Sequence, residues 1–124
     1  VKMVKNLSLI TKEQNETEQI NLVNEAIIMI NIGNHPNIIK IMGVNVSAVG
    51  NDYNISLLLE ICNLGSLKSK LLDLKKTNTK FDIETLHKLV SEISNGMAYL
   101  DELNIVHNDL ATRNILLSSI GNTT

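Results

Sequence analysis

An aspartate and an asparagine five residues apart, Asp109 and Asn114, are the side chains of this 124-residue chain with the most chemistry to offer. They lie between a long helical pattern and a short apolar run, where both can point into one cleft. A carboxylate in such a place accepts or orients a hydroxyl proton. An amide oxygen ligates a hard cation such as magnesium, which prefers oxygen. The surrounding run is His107-Asn108-Asp109-Leu110-Ala111-Thr112-Arg113-Asn114. A lone histidine such as His107 is more often a packed structural residue than an acid or base.

The elements that must position this loop follow from periodicity. Apolar residues recur at three- and four-residue spacing from about Thr11 to Ile32, with Ile20, Val23, Ile27 and Ile30 as one stripe and Leu22, Ala26 and Met29 as its neighbour. A helix apolar over so much of its surface needs partners on two sides. Gly33, Asn34 and Pro36 stop it. Two β-rich runs, Ile38–Val46 and Ile55–Glu60, flank the turn Gly50-Asn51-Asp52 and read as an antiparallel pair, the second buried on both faces. Leu67–Lys75 reads as a short helix. Asp82 is an N-cap for a long helix ending near Asn104, with the apolar face Leu86, Leu89, Val90, Ile93, Met97 and Leu100, and with a Glu84–Lys88 pair on its wet side. Ile115–Leu117 is a short strand. The order is strand, helix, strand, strand, helix, helix, loop, strand, an α+β pattern.

Composition narrows the field. Hydrophobic residues make up 44% and charged ones 19%, as in a folded soluble domain. The net charge of −2 speaks against a nucleic-acid partner, which calls for a clustered basic excess. Aromatic residues are scarce, so the core must be aliphatic. The single cysteine, Cys62, cannot form an internal disulfide and suits a reduced compartment. No apolar run reaches the roughly 18 residues that a spanning helix requires. The abundant asparagine suggests compositional bias without a function.

The full run Ile105–Leu117, preceded by Gly96-Met97-Ala98-Tyr99-Leu100 on a helix, resembles the protein-kinase catalytic loop His-x-Asp-x-x-x-x-Asn. Ala111 and Arg113 between the Asp and the Asn resemble tyrosine kinases, and the run Glu60-Ile61-Cys62 resembles the hinge of growth-factor receptor kinases. The resemblance implies a two-lobe, protein-kinase-like fold that is incomplete here. Residues 1–59 would be part of the N-lobe from its third to its fifth strand, 60–66 the hinge, and 67–124 the start of the C-lobe. It implies Asp109 as catalytic base, Asn114 as magnesium ligand and Arg113 as a helper near the transferred phosphate. Leu59 takes the gatekeeper place, the carbonyl of Glu60 and the amide of Cys62 would bind adenine, and Leu116 would floor the pocket. Glu25 would pair with a phosphate-binding lysine. Both Lys2 and Lys5 are candidates: Lys2 sits in a Val-Lys-Met match, and Lys5 has the more usual spacing to Glu25.

ATP and Mg2+ are the implied cofactors, and tyrosine-containing proteins the implied substrates. The implied setting is the cytoplasmic side of the plasma membrane, in a receptor that dimerises. The sequence departs from the pattern at Asn108, where the family has an arginine that often receives an activation-loop phosphate. It also lacks a Gly-rich loop and an Asp-Phe-Gly, which would fall before Val1 and after Thr124, so the 124 residues alone are expected to be inactive. The connection after the hinge is shorter than in the platelet-derived and vascular-type receptor kinases. A pseudokinase serving as a binding or allosteric scaffold is the alternative reading.

Overall fold

The computed structural model describes residues 2–3, 16–50 and 52–119. Its elements run β1 (Lys2–Met3), α1 (Glu16–Ile32), β2 (Ile41–Val49), β3 (Asp52–Leu59), α2 (Leu67–Lys76), α3 (Ile83–Glu102), a single 3-10 turn Thr112–Asn114, and β4 (Ile115–Leu116). This is the expected α+β order. The chain forms two compact units: Leu7–Asn34 with Lys40–Glu60, and Val1–Asn6 with His35–Ile39 and Ile61–Thr124.

In the first of these, β2 and β3 form an antiparallel hairpin whose last pair, Val49 and Asp52, leaves a two-residue turn. Gly50 takes φ +65°, a left-handed value open to glycine at little cost, which is why the turn can be so tight. α1 packs on this hairpin, but not through the more obvious stripe. Ala26, Met29 and Ile32 are buried, whereas Ile20, Val23, Ile27 and Ile30 are exposed. The packed face is made of small Ala26, flexible Met29 and Ile32, which fill the space against the hairpin. The expectation of a doubly buried second strand also fails. Leu57 is buried and its neighbour Leu58 is half-exposed, the alternation of a strand with one packed face.

The second unit is built on α3. Asp82 caps it as expected, its carboxylate accepting from the Thr85 N–H at 2.6 Å. That bond holds the Asp82 carboxyl below its usual 3.8. Leu89, Gly96 and Leu100 are buried, while Leu86 and Val90 remain exposed. Lys88 pairs with Glu92 at 3.9 Å rather than with Glu84. Glu84 stays in the first turn, where the positive end of the helix favours a carboxylate. Ser66 caps α2, accepting from the Ser69 N–H at 3.1 Å.

Both helices end in paired backbone bonds of the Schellman type: Asn78 to Lys75 and Thr79 to Leu74 after α2, Asn104 to Asp101 and Ile105 to Leu100 after α3. Asn78 and Asn104 supply the left-handed residue, at φ 51° and 56°. Asparagine tolerates this conformation better than other residues with a Cβ. The asparagine richness therefore has a structural use that composition alone did not reveal.

Two segments lie outside the unit that holds the β2–β3 hairpin. His35–Ile39 belongs with the C-terminal unit, the His35 ring stacking on Tyr99 of α3 at 4.4 Å and 19°. β1 pairs antiparallel with β4, Lys2 opposite Leu116 and Met3 opposite Ile115, instead of joining the β2–β3 hairpin. A two-residue strand makes too few ladder bonds to specify its partner, and β4 offers a free backbone edge.

Candidate active site and hinge

α3 delivers the chain into the loop 103–111, and the 3-10 turn folds it back so that Asn114 returns to Asp109. The Asn114 amide nitrogen donates to both the backbone carbonyl and Oδ2 of Asp109, each at 2.9 Å. Arg113 Nη2 donates to Oδ1 of the same carboxylate at 2.5 Å. The Asn114 N–H closes the turn on the Ala111 carbonyl at 2.9 Å. His107 is buried, and its Nδ1 accepts from the Asp109 N–H at 3.3 Å. It anchors the loop from beneath, in keeping with its reading as a packing residue. Asn108 stands between them in the left-handed region, at φ 65°.

The consequences for charge are direct. Asn114 first and Arg113 second hold the Asp109 carboxyl below its ordinary 3.8. A carboxylate whose pKa is lowered is a weaker base, better suited to orienting a hydroxyl than to taking its proton early. A loose phosphoryl-transfer transition state asks little more of it. Because Asn114 spends its amide nitrogen on Asp109, its oxygen is the atom left to face a ligand. Beside a carboxylate, this oxygen suits magnesium, which takes few protein oxygens and completes its shell with water and phosphate. Among the described residues no cluster of three His, Cys, Asp or Glu side chains forms a metal cage.

The hinge residues are held by a different kind of bond. Glu60 is locked to Lys40 in both directions: its N–H donates to the Lys40 carbonyl at 3.0 Å, and its side chain accepts from the Lys40 N–H at 2.6 Å. Leu59 ends β3 opposite Ile41. Cys62 is half-buried, and its carbonyl accepts from the Gly65 N–H at 3.4 Å. Beyond it the segment clips onto the strand that follows the catalytic loop: Leu64 N–H to the Leu117 carbonyl at 3.0 Å, and Leu117 N–H to the Gly65 carbonyl at 2.8 Å. Ser66 bridges to Leu116. Asn63 adds a side-chain clamp, accepting from the Ser119 N–H at 3.0 Å and donating to its hydroxyl at 2.9 Å. Asn63 and Ser66 fall within the expected hinge, but their contacts to Ser119 and Leu116 are unexpected. A polar residue beside a Gly-Ser turn was the available signal.

The structure thus brings Asp109, Arg113 and Asn114 into one cluster, and seats Leu116 beside the hinge end of the same unit. Lys2 lies on β1 in that unit, whereas Glu25 is half-buried on α1 in the other. Lys5 falls outside the described residues.

A profile of the protein tyrosine and serine/threonine kinase family matches residues 1–123. The chain belongs to this family. It is 34% identical to the tyrosine-protein kinase JAK1 of Danio rerio over 110 residues, 89% of the chain and 9% of that protein. It is 36% identical to ephrin type-B receptor 3 of Xenopus laevis over 104 residues, 84% of the chain and 10% of the receptor. A serine/threonine-protein kinase, LMTK3 of Mus musculus, is 36% identical over 91 residues, 68% of the chain and 6% of that protein. The chain spans about a tenth or less of the length of these curated relatives. Kinases of this family generally use ATP and Mg2+. Among the described residues, no helix is long and apolar enough to cross a membrane.

Proposed function

We propose that the full-length protein carrying this chain transfers the γ-phosphoryl group of ATP to tyrosine in protein substrates. The Asp109 carboxylate, bridged by Asn114 on one oxygen and Arg113 on the other, carries this reading. Asp109 orients the tyrosine hydroxyl and receives its proton. Arg113 both positions Asp109 and, once substrate displaces it, faces the transferred phosphate. Asn114 offers its oxygen to Mg2+, which neutralises phosphate charge when bound. The Glu60 carbonyl and Cys62 N–H bind adenine, with Leu59 in the gatekeeper place and Leu116 as the floor residue. Lys2 or Lys5, paired with Glu25, holds the phosphates.

Residues 1–59 serve as part of the N-lobe, 60–66 as the hinge and 67–124 as the first part of the C-lobe. Ala111 and Arg113 support tyrosine over serine or threonine. The match to an ephrin-type receptor supports a receptor whose kinase domain lies at the cytoplasmic face of the plasma membrane and dimerises there.

The test is radiolabelled ATP with the full-length protein and a Glu-Tyr copolymer beside serine peptides. Label on the copolymer that disappears in Asp109→Asn supports the proposal, and label on serine peptides alone refutes the tyrosine assignment. Asn108 favours a second reading, a pseudokinase scaffold, because it cannot supply the arginine charge that docks an activation-loop phosphate. Nucleotide binding without any transfer, under conditions where a control kinase turns over, would establish that reading instead. If the enzyme reading holds, Asn108→Arg should make activity more dependent on loop phosphorylation.

A further inference from the structure

We propose that a cavity of about 660 Å3 in the C-terminal unit docks an acidic peptide segment of a partner protein through an aliphatic anchor. The cavity is lined by Pro36, Leu64, Phe81, Leu89 and Leu117, with Lys70 and Lys88 among its polar residues, and it shares no residue with the Asp109 cluster. Its volume lies in the range that holds one or two apolar side chains with their flanks. Phe81 and Pro36 are the only phenylalanine and proline of the chain, so its scarce rigid side chains are spent here.

The walls are fixed from several directions. α3 presents Thr85, Lys88, Leu89 and Glu92 to the cavity, one face at i, i+3, i+4 and i+7, and its first turn is secured by the Asp82 cap. Ser119 is clamped by Asn63, and Pro36 follows the His35 ring that stacks on Tyr99. A preformed pocket of this kind loses little entropy when a flexible segment enters.

Charge selects the occupant. The chain is net negative, yet α2 and the turn after it carry Lys68, Lys70, Lys75, Lys76 and Lys80 against Asp73 alone. Asp73 pairs with Lys76 at 3.8 Å, and among the described residues no carboxylate stands within ion-pair reach of Lys70. Glu92 is the one carboxylate in the lining, and it is committed to Lys88. An incoming Glu or Asp therefore meets Lys70 directly and competes with Glu92 for Lys88. Two lysines around an apolar concavity suit a short acidic peptide better than a lipid surface, which needs a broad basic face. The inference goes beyond phosphoryl transfer, and its readout is binding, which stands whether or not turnover is found.

The experiment is fluorescence anisotropy on the full-length protein, with a labelled peptide of about 12 residues holding a Leu-x-Leu anchor between glutamates. A dissociation constant of about 10–100 μM is expected. The peptide with serine for leucine, and the peptide with lysine for glutamate, should each bind about tenfold more weakly or worse. Lys70→Glu with Lys88→Glu should weaken binding by at least about tenfold, and Lys70→Gln alone, a milder change, by about threefold. Glu92→Gln should tighten it about twofold by freeing Lys88. Lys75→Glu with Lys76→Glu, the same change of charge outside the cavity, should leave affinity within about twofold. Equal binding of the lysine peptide, an equal loss in the Lys75/Lys76 variant, no signal up to about 1 mM, or capture only by phosphatidylserine vesicles would each overturn the proposal.

Discussion

The catalytic loop and the hinge are held by opposite strategies. The side-chain bonds to Asp109 are local: Arg113 is four residues away, Asn114 five and His107 two. The hinge reaches far along the chain, with Asn63 and Ser119 separated by 56 residues and Lys40 and Glu60 by 20. A local net closes with little loop entropy, so a short sequence run can specify it alone. A long-range clamp depends on the whole unit being folded. The proposed chemistry therefore sits on the self-sufficient segment, and the proposed nucleotide contacts sit on the one that depends on the fold around it.

This contrast yields predictions. The largest effect should come from Asp109→Asn, which lowers kcat of the full-length enzyme by about 10² to 10⁴-fold and lowers thermal stability only slightly, through the lost charge of one partly exposed carboxylate. Steady-state kinetics beside a melting curve checks both halves. A parallel collapse of stability would show that the loop is not self-contained.

Gly65→Ala should act on the other side of the comparison. Gly65 has φ +71° and open space where a Cβ would go, so backbone strain is the only cost, about 1 kcal/mol. Reduced stability with a raised KM for ATP and little change in kcat is expected. A loss confined to kcat would contradict the hinge role.

Next comes pH. Asp109 is held below 3.8 in the folded chain, so its contribution to stability is present above the unfolded carboxyl range and is lost as pH falls through the lower folded value. Arg113→Ala removes the second-largest cause and should move the Asp109 titration upward, read by carboxyl carbon NMR. No movement would mean that Arg113 does not hold the carboxyl down. The smallest effect should come from Asn108→Gly, with activity and melting temperature near the original because glycine shares the left-handed region. Asn108→Val, by contrast, should cost about 1–2 kcal/mol in melting experiments.

The sequence revealed the loop well, for the same reason the loop is robust: His107, Asp109, Arg113 and Asn114 interact within eight residues, where spacing and geometry are nearly the same thing. The order of elements and the Asp82 cap were legible too, since periodicity and capping are local. What escaped was set by packing. Nothing in the spacing of Ile20, Val23, Ile27 and Ile30 shows that Ala26 and Met29 are the side chains buried. Glu84 and Glu92 are each four residues from Lys88; helix orientation favours Glu84, yet the folded helix pairs Glu92. The pairing of Lys2–Met3 with Ile115–Leu116 joins the two ends of the chain and has no sequence signature.

The three left-handed asparagines bear on how this chain tolerates change. Among the described residues, every non-glycine position with positive φ is an asparagine: Asn78, Asn104 and Asn108. Most asparagines of such a biased chain could be recoded as serine, lysine or glutamine with small effect. At these three, glycine is the one near-equal exchange. Two of them end the helices and the third stands within the catalytic loop, so a drift in composition would erode helix ends and active loop together.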